Sequence, residues 1–141
     1  MNEMLMDAEK GKKGKEAFDA LSNSVIGAAI EVHRALGPGF LESIYEEALC
    51  VELRHRGVAC ERQRPIPIFY RDELVGEHRF DLLIEQRLIV ELKAIKEIES
   101  IHFAMVRSYL KALRLSDALL FNFASAPLTI RRIDGNTFPT S

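Results

Sequence analysis

The sequence has no apolar run approaching the roughly 20 residues that a membrane-spanning helix needs. It has only two cysteines, Cys50 and Cys60. They form no C-x-x-C pair and stand at no metal-type histidine spacing, which argues against a zinc site. Cys50 falls in a helical pattern and Cys60 in a strand-like one, so both are expected to be reduced, buried small hydrophobes. Net charge is also lacking. Nineteen Lys and Arg against 21 Asp and Glu leave a formal charge of -2, which argues against a module that holds nucleic acid by bulk positive charge. Arg54, Arg56, Arg62 and Arg64 cluster locally, as a basic patch or as solubilising surface. The N-terminal stretch MNEMLMDAEKGKKGKEAF lacks the apolar core of a signal peptide, so a cytoplasmic protein is expected. Repeats, linkers and signs of a second domain are absent.

What remains is the profile of a globular protein. Its 141 residues are 48% hydrophobic and 28% charged, enough for one domain with a sizeable core. A mobile polar tail is expected over residues 1–15 and a single domain over 16–141. The apolar period predicts a helix from about Ser22 to Leu36, through Val25, Ala29, Val32 and Leu36. It stops at Gly37-Pro38-Gly39, where glycine can cap and proline cannot continue the helix. A second helix is predicted from about Leu41 to Arg56, with Leu41, Tyr45, Ala48, Leu49 and Leu53 as its stripe and Gly57 as its cap.

The period then shortens. Strands are predicted near 58–62, 65–70, 77–84 and 87–93, with Tyr70–Glu73 as a turn. Pro65 and Pro67 put their strand at an edge. A third helix follows from about Ser100 to Leu115, with Phe103, Val106, Leu110 and Leu113 buried. Strands at 117–124 and 128–133 and a loose tail complete an α/β domain with a mixed β-sheet flanked by helices.

Residues 79–93, RFDLLIEQRLIVELK, carry the chemistry. Asp81, Glu91 and Lys93 stand in an otherwise apolar hairpin, and burying an unpaired charge is costly. Residues two apart in a strand share a face, so Glu91 and Lys93 point the same way. A two-residue turn at Glu85-Gln86 would pair Asp81 with Val90 and turn Glu91 away. A three-residue loop, Glu85-Gln86-Arg87, would pair Ile84 with Leu88, Leu82 with Val90, and Asp81 with Glu91. Leu82, Ile84, Leu88, Val90 and Leu92 would then share one face, with the charges above Leu83 and Ile89 on the other. Register tends to follow such sorting. The odd-length loop is therefore expected, with a left-handed residue at Gln86 or Arg87. Two converging carboxylates suit a hard cation such as Mg²⁺, and a lysine beside them suits water or phosphoryl charge. The plainer alternative is a salt bridge of Lys93 with Glu91 or Asp81 at a strand end.

Asp81 followed by Glu91-x-Lys93, a helix and an apolar strand resembles the PD-(D/E)XK nuclease superfamily. The block GFLESIY, with Gly39, Glu42 and Tyr45, inside IEVHRALGPGFLESIYEEAL, looks like the GxxExxY protein family, a branch of that superfamily. The resemblance runs from about Val25 to Ile133. It implies a restriction-endonuclease-like core and a metal-dependent nuclease hydrolysing phosphodiester bonds in DNA or RNA. Asp81, Glu91 and the Leu92 carbonyl would be metal ligands for Mg²⁺, with Mn²⁺ as a substitute. Lys93 would position or activate water. Glu42 would add an acid from the second helix, or else compensate that helix's N-terminal charge. Tyr45 would bond to the site or pack.

The third helix departs from the pattern. Related nucleases often carry Q-x-x-x-Y there; this chain has Met105 for the glutamine and keeps Tyr109. Methionine cannot supply an amide's hydrogen bonds. His102, one turn earlier, would compensate or be structural. The competing function is a catalytically degenerate module of this fold that binds nucleic acid or a protein partner. So small a domain has little surface for choosing a DNA sequence, so a homodimer or a protein partner is expected beside the nucleic acid.

Overall fold

The computed structural model describes residues 3–135, with side chains from Asp19 onward. The expected tail over 1–15 falls where no side chain is described, and the C-terminal residues 136–141 lie outside the described residues.

Helix α1 spans Glu3–Leu36, far longer than the apolar stripe suggested. The stripe begins only near Ser22. Ahead of it the chain is rich in Glu, Lys, Ala and Met, which favour a helix without leaving a periodic signature. Gly37 and Gly39 take φ of +69° and +117°, conformations that L residues adopt poorly, and the chain turns into α2, Glu42–His55. The remaining order is β1 (Cys60–Arg62), β2 (Pro65–Tyr70), β3 (Glu73–Arg79), β4 (Leu82–Ile84), β5 (Leu88–Lys93), α3 (Ser100–Leu113), β6 (Asp117–Asn122) and β7 (Thr129–Asp134).

The strand expected over 77–84 is two strands. β3 leaves the main sheet and pairs only with β2 as a two-stranded ribbon, reversing at Arg71-Asp72, where φ is +49° and +64°. Phe80 and Asp81 form the break before β4. Phe80 is fully buried and anchors the chain as it passes from ribbon to sheet. The five-stranded sheet has the order β1-β4-β5-β6-β7. Only β5 and β6 run parallel, joined by the α3 crossover, so the sheet is mixed as expected.

The two faces of the sheet face different helices. Leu82, Ile84, Leu88, Val90 and Leu92 pack with Val25, Ala29 and Val32 of α1 and Tyr45, Leu49 and Leu53 of α2. Leu83, Ile89, Ala118 and Leu120 pack with Val106, Tyr109 and Leu110 of α3. The β4–β5 register is Leu82 with Val90, Leu83 with Ile89 and Ile84 with Leu88, the three-residue-loop register. A left-handed residue falls at Gln86 as expected, with φ of +57°, and a second at Glu85, with φ of +50°; Arg87 is not left-handed. Arg87 instead donates its N–H to the Ile84 carbonyl, which fixes its backbone back toward the strand.

The arginine cluster is not a free basic patch. Arg56 pairs with Glu52, Arg62 with Glu46 and Glu47, and Arg64 with Glu61. The cysteine sulfurs lie 3.7 Å apart as free thiols, and burial pushes Cys50 up to about 12. No helix among the described residues is long and apolar enough to cross a membrane.

Candidate active site

The odd-length turn brings Asp81 and Glu91 together: the Glu91 carboxylate is held by the backbone of Asp81, and the Asp81 carboxylate by the backbone of Leu92, next to Glu91. Glu91 Oε1 accepts the Asp81 N–H at 2.7 Å, and Asp81 Oδ2 accepts the Leu92 N–H at 2.8 Å. The break before β4 makes this clasp available, because Asp81 has left the ladder and its N–H has no strand partner to satisfy. A buried N–H must be satisfied somewhere, and the Glu91 carboxylate satisfies it.

The electrostatics are those of two acids held close in a poor solvent for charge. Glu91 is only 5% exposed. Burial and the neighbouring Asp81 charge push it up to about 8, against the opposing pull of the Asp81 N–H and of Lys93. Asp81 is also raised, chiefly by burial and, through space, by Glu46 and Glu42; the Leu92 N–H and Lys93 pull the other way. Lys93 thus acts on both acids through space. The strand-end salt bridge does not form: among the described residues, Lys93 makes no ion pair.

Helix α2 brings two acids. Glu42, in its first turn, accepts the Ala94 N–H at 3.1 Å, just past Lys93. Glu46, one turn on, is 8% exposed and accepts Gln63 Nε2 at 2.7 Å and Arg62 Nη2 at 3.3 Å. Glu42, Ser43, Glu46, Gln63 and Asp81 line a cleft of about 310 Å³. Glu91 lies behind Asp81 and not on the lining. Glu46 and Gln63 are not among the residues expected from sequence. For Glu46 a signal existed, since it stands four residues from Glu42 on the same helical face. Gln63 had none, because a polar residue between two short strands looks like any loop residue.

The auxiliary residues divide. Tyr45 is fully buried, stacks on Phe123 with ring centroids 4.6 Å apart, donates to the Gly37 carbonyl at 2.6 Å and accepts the Phe40 N–H. Its hydroxyl therefore braces the glycine turn and does not reach the acids. His102 accepts the Glu99 N–H at 2.8 Å on Nδ1 within a capping box that starts α3. Met105 packs against the α3-side core. Tyr109 lies within electrostatic reach of the acids: burial first, then the charges of Glu91 and Asp81, push its phenol up to about 12. His33 gains a role that the sequence did not suggest. Its Nε2 lies 2.8 Å from the Ser125 carbonyl, tying α1 to the β6–β7 connection.

Among the described residues, no three His, Cys, Asp or Glu side chains are gathered as a metal site. The donor chemistry nevertheless fits a small divalent cation. Mg²⁺ keeps several waters and takes one or two carboxylates in place of a full protein cage. Asp81 and Glu91 are two such carboxylates, and each is pushed up chiefly by burial.

A mixed sheet flanked by helices, with one acid at the entry to an inner strand and a second acid and a lysine on the strand beside it, defines an α/β protein of the restriction-endonuclease-like kind. Residues 19–133 match the family model of the PD-(D/E)XK nuclease superfamily, and the chain belongs to that superfamily. No curated protein and no solved structure is matched by the chain.

Proposed function

We propose that this protein is a divalent-cation-dependent nuclease that hydrolyses phosphodiester bonds in DNA or RNA, of the branch whose pattern is G-x-x-E-x-x-Y. The observation that carries this is the pair of carboxylates Asp81 and Glu91, held together by the Asp81 and Leu92 amides, beside Lys93, which makes no ion pair among the described residues. Two acids held together at the cost of mutual repulsion suit a cation better than they suit the apo fold.

In this reading Asp81 and Glu91, with the Leu92 carbonyl, hold Mg²⁺ or Mn²⁺. When bound, the cation activates water and offsets phosphoryl charge. Lys93 orients that water and opposes charge building on the phosphate. Glu42 keeps the Ala94 amide in place at the end of β5 and adds negative charge that must be neutralised before phosphate approaches. Tyr109 bounds the site on the α3 side.

A second reading has one observation behind it. Met105 gives α3 no amide to offer a substrate, which favours a degenerate module that binds nucleic acid or a protein partner without cleaving. Two measurements separate the readings. Mg²⁺ or Mn²⁺ is expected to raise the thermal midpoint of the wild type, since a ligand specific to the native state stabilises it, and Asp81→Ala is expected to lose that response. Single-turnover cleavage of single-stranded, duplex and branched DNA, and of RNA, is expected to fall about 100-fold or more in Lys93→Ala. Cation binding without cleavage of any substrate would select the degenerate module. Equal cleavage by both proteins would trace the activity to a contaminant.

A further inference from the structure

We propose that Gln63 is a positioning residue: its side-chain amide ties Glu46 of α2 to Asp81 and fixes the orientation of the carboxylate that the cation meets. The inference rests on the divalent-cation reading and adds to it a residue that belongs to neither strand of the acidic hairpin.

Gln63 sits in the bend between β1 and β2 with φ +52°, a left-handed conformation uncommon for a residue with a side chain. Its backbone is held at both ends. The N–H donates to the Asp81 carbonyl at 3.0 Å, and the carbonyl accepts Arg79 Nη1 at 3.2 Å. The bend is thus bound directly to the residue before β4. From there Nε2 donates to Glu46 Oε1 at 2.7 Å and to Asp81 Oδ1 at 3.3 Å. Both partners are carboxylate oxygens, which only accept, so the amide nitrogen and not its oxygen must face them.

The consequence for Asp81 is specific. Its Oδ2 is already fixed by the Leu92 N–H. With Oδ1 on Gln63, both oxygens are spoken for and rotation about the Cβ–Cγ bond is arrested. Glu46 is fixed in turn, one oxygen on Gln63 and the other on Arg62. A single amide therefore separates two carboxylates on the wall of the same cleft and keeps them from rotating toward or away from each other. A glutamine that served only as solvated surface would not be bonded at its backbone N–H, its carbonyl and its side chain at once. Because α3 presents Met105, this bend is where the chain supplies an amide to the acids.

The test is a Mn²⁺ titration followed by thermal unfolding of the full chain, comparing the wild type with Gln63→Met, which keeps volume and removes the amide. The Mn²⁺ concentration for half-maximal stabilisation is expected to rise about tenfold, the order expected for losing hydrogen bonds to charged groups. The cation-free midpoint is expected to fall by a few degrees, because Glu46, 8% exposed, loses a partner. Gln63→Ala is the second variant, should Gln63→Met fail to give native circular dichroism. An unchanged half-saturation in a folded variant, whatever its midpoint, would overturn the positioning role, because a merely structural glutamine alters stability and not cation affinity. A wild type that shows no Mn²⁺ response overturns the cation reading itself, an outcome distinct from the failure of Gln63 alone.

Discussion

At the scale of single residues, Glu91 carries the largest consequence. Its proton affinity is raised to about 8 from an ordinary 4.5 by burial and by Asp81. Between those values the folded chain holds a proton that the unfolded chain has released. Stability from this group is therefore fully present below about pH 4.5 and is lost as the pH rises through about 8. Cation-free protein is expected to melt lower at pH 8 than at pH 5. Glu91→Gln, neutral at every pH, is expected to flatten that slope and to melt about 5 °C above the wild type at pH 8. Thermal unfolding of both proteins across pH 5–8 in a chelator checks this, and parallel slopes would remove Glu91 as the cause. Tyr45 makes the opposite kind of prediction. Tyr45→Phe keeps the stacking on Phe123 and loses the bonds to Gly37 and Phe40. It is expected to cost about 1–2 kcal/mol in urea unfolding while leaving Mn²⁺ half-saturation unchanged, since the hydroxyl braces a turn and does not touch the acids.

At the scale of elements, the β4–β5 hairpin decides whether there is a site. The alternation of apolar and charged residues was enough to choose its register, because only an odd-length loop keeps Leu82, Ile84, Leu88, Val90 and Leu92 on one face. The same alternation could not show that β4 is only three residues long, nor that Asp81 lies in a break. That break depends on β3 leaving to pair with β2, a choice made by long-range pairing. The loop itself stores strain at Glu85 and Gln86. Gln86→Gly removes a left-handed side chain and is expected to stabilise the fold by about 0.5–1 kcal/mol, offset in part by its bonds to Glu61 and Arg64. Gln86→Val, β-branched in the same conformation, is expected to destabilise by about 1–2 kcal/mol. Urea unfolding of the pair reads the difference, and a Val variant as stable as the Gly variant would argue against a left-handed residue at this position. Helix α3 shows a further limit of sequence. His102, Met105 and Tyr109 share a helical period, yet His102 is spent on the cap, Met105 on packing, and only Tyr109 feels the acids.

At the scale of the whole molecule, the sheet separates two cores, and the cleft opens between α2, the bend after β1 and the break before β4. Glu42 and Glu46 come from the helix, Gln63 from the bend after β1, and Asp81, Glu91 and Lys93 from the hairpin. In the proposed reading the cation would be held by the hairpin, to which the helix and the bend are bonded through Glu42, Glu46 and Gln63, so its effect is expected on global unfolding and not on one element. At a concentration a hundredfold above half-saturation the gain is expected to be about 2.7 kcal/mol. That gain is expected to grow from pH 6 to pH 9, as Glu91, raised to about 8, loses the proton that competes with the cation. Denaturant unfolding with and without Mg²⁺ across that range measures it; a gain independent of pH would mean that the cation binds elsewhere.

The sequence by itself determined the α/β class, the helix stops at glycine, the hairpin register and the meeting of Asp81 with Glu91. Each of these follows from local periodicity or from the sorting of apolar residues onto one face, which neighbouring residues alone can express. Tertiary structure alone decided that β2 and β3 form a separate ribbon, that Tyr45 and His33 serve as braces, and that Glu46 and Gln63 join the acids. Those outcomes depend on which distant backbone groups remain unsatisfied after the strands have paired. Gln63 reaches Glu46 across 17 positions and Asp81 across 18, and no periodicity in the sequence encodes a contact of that kind.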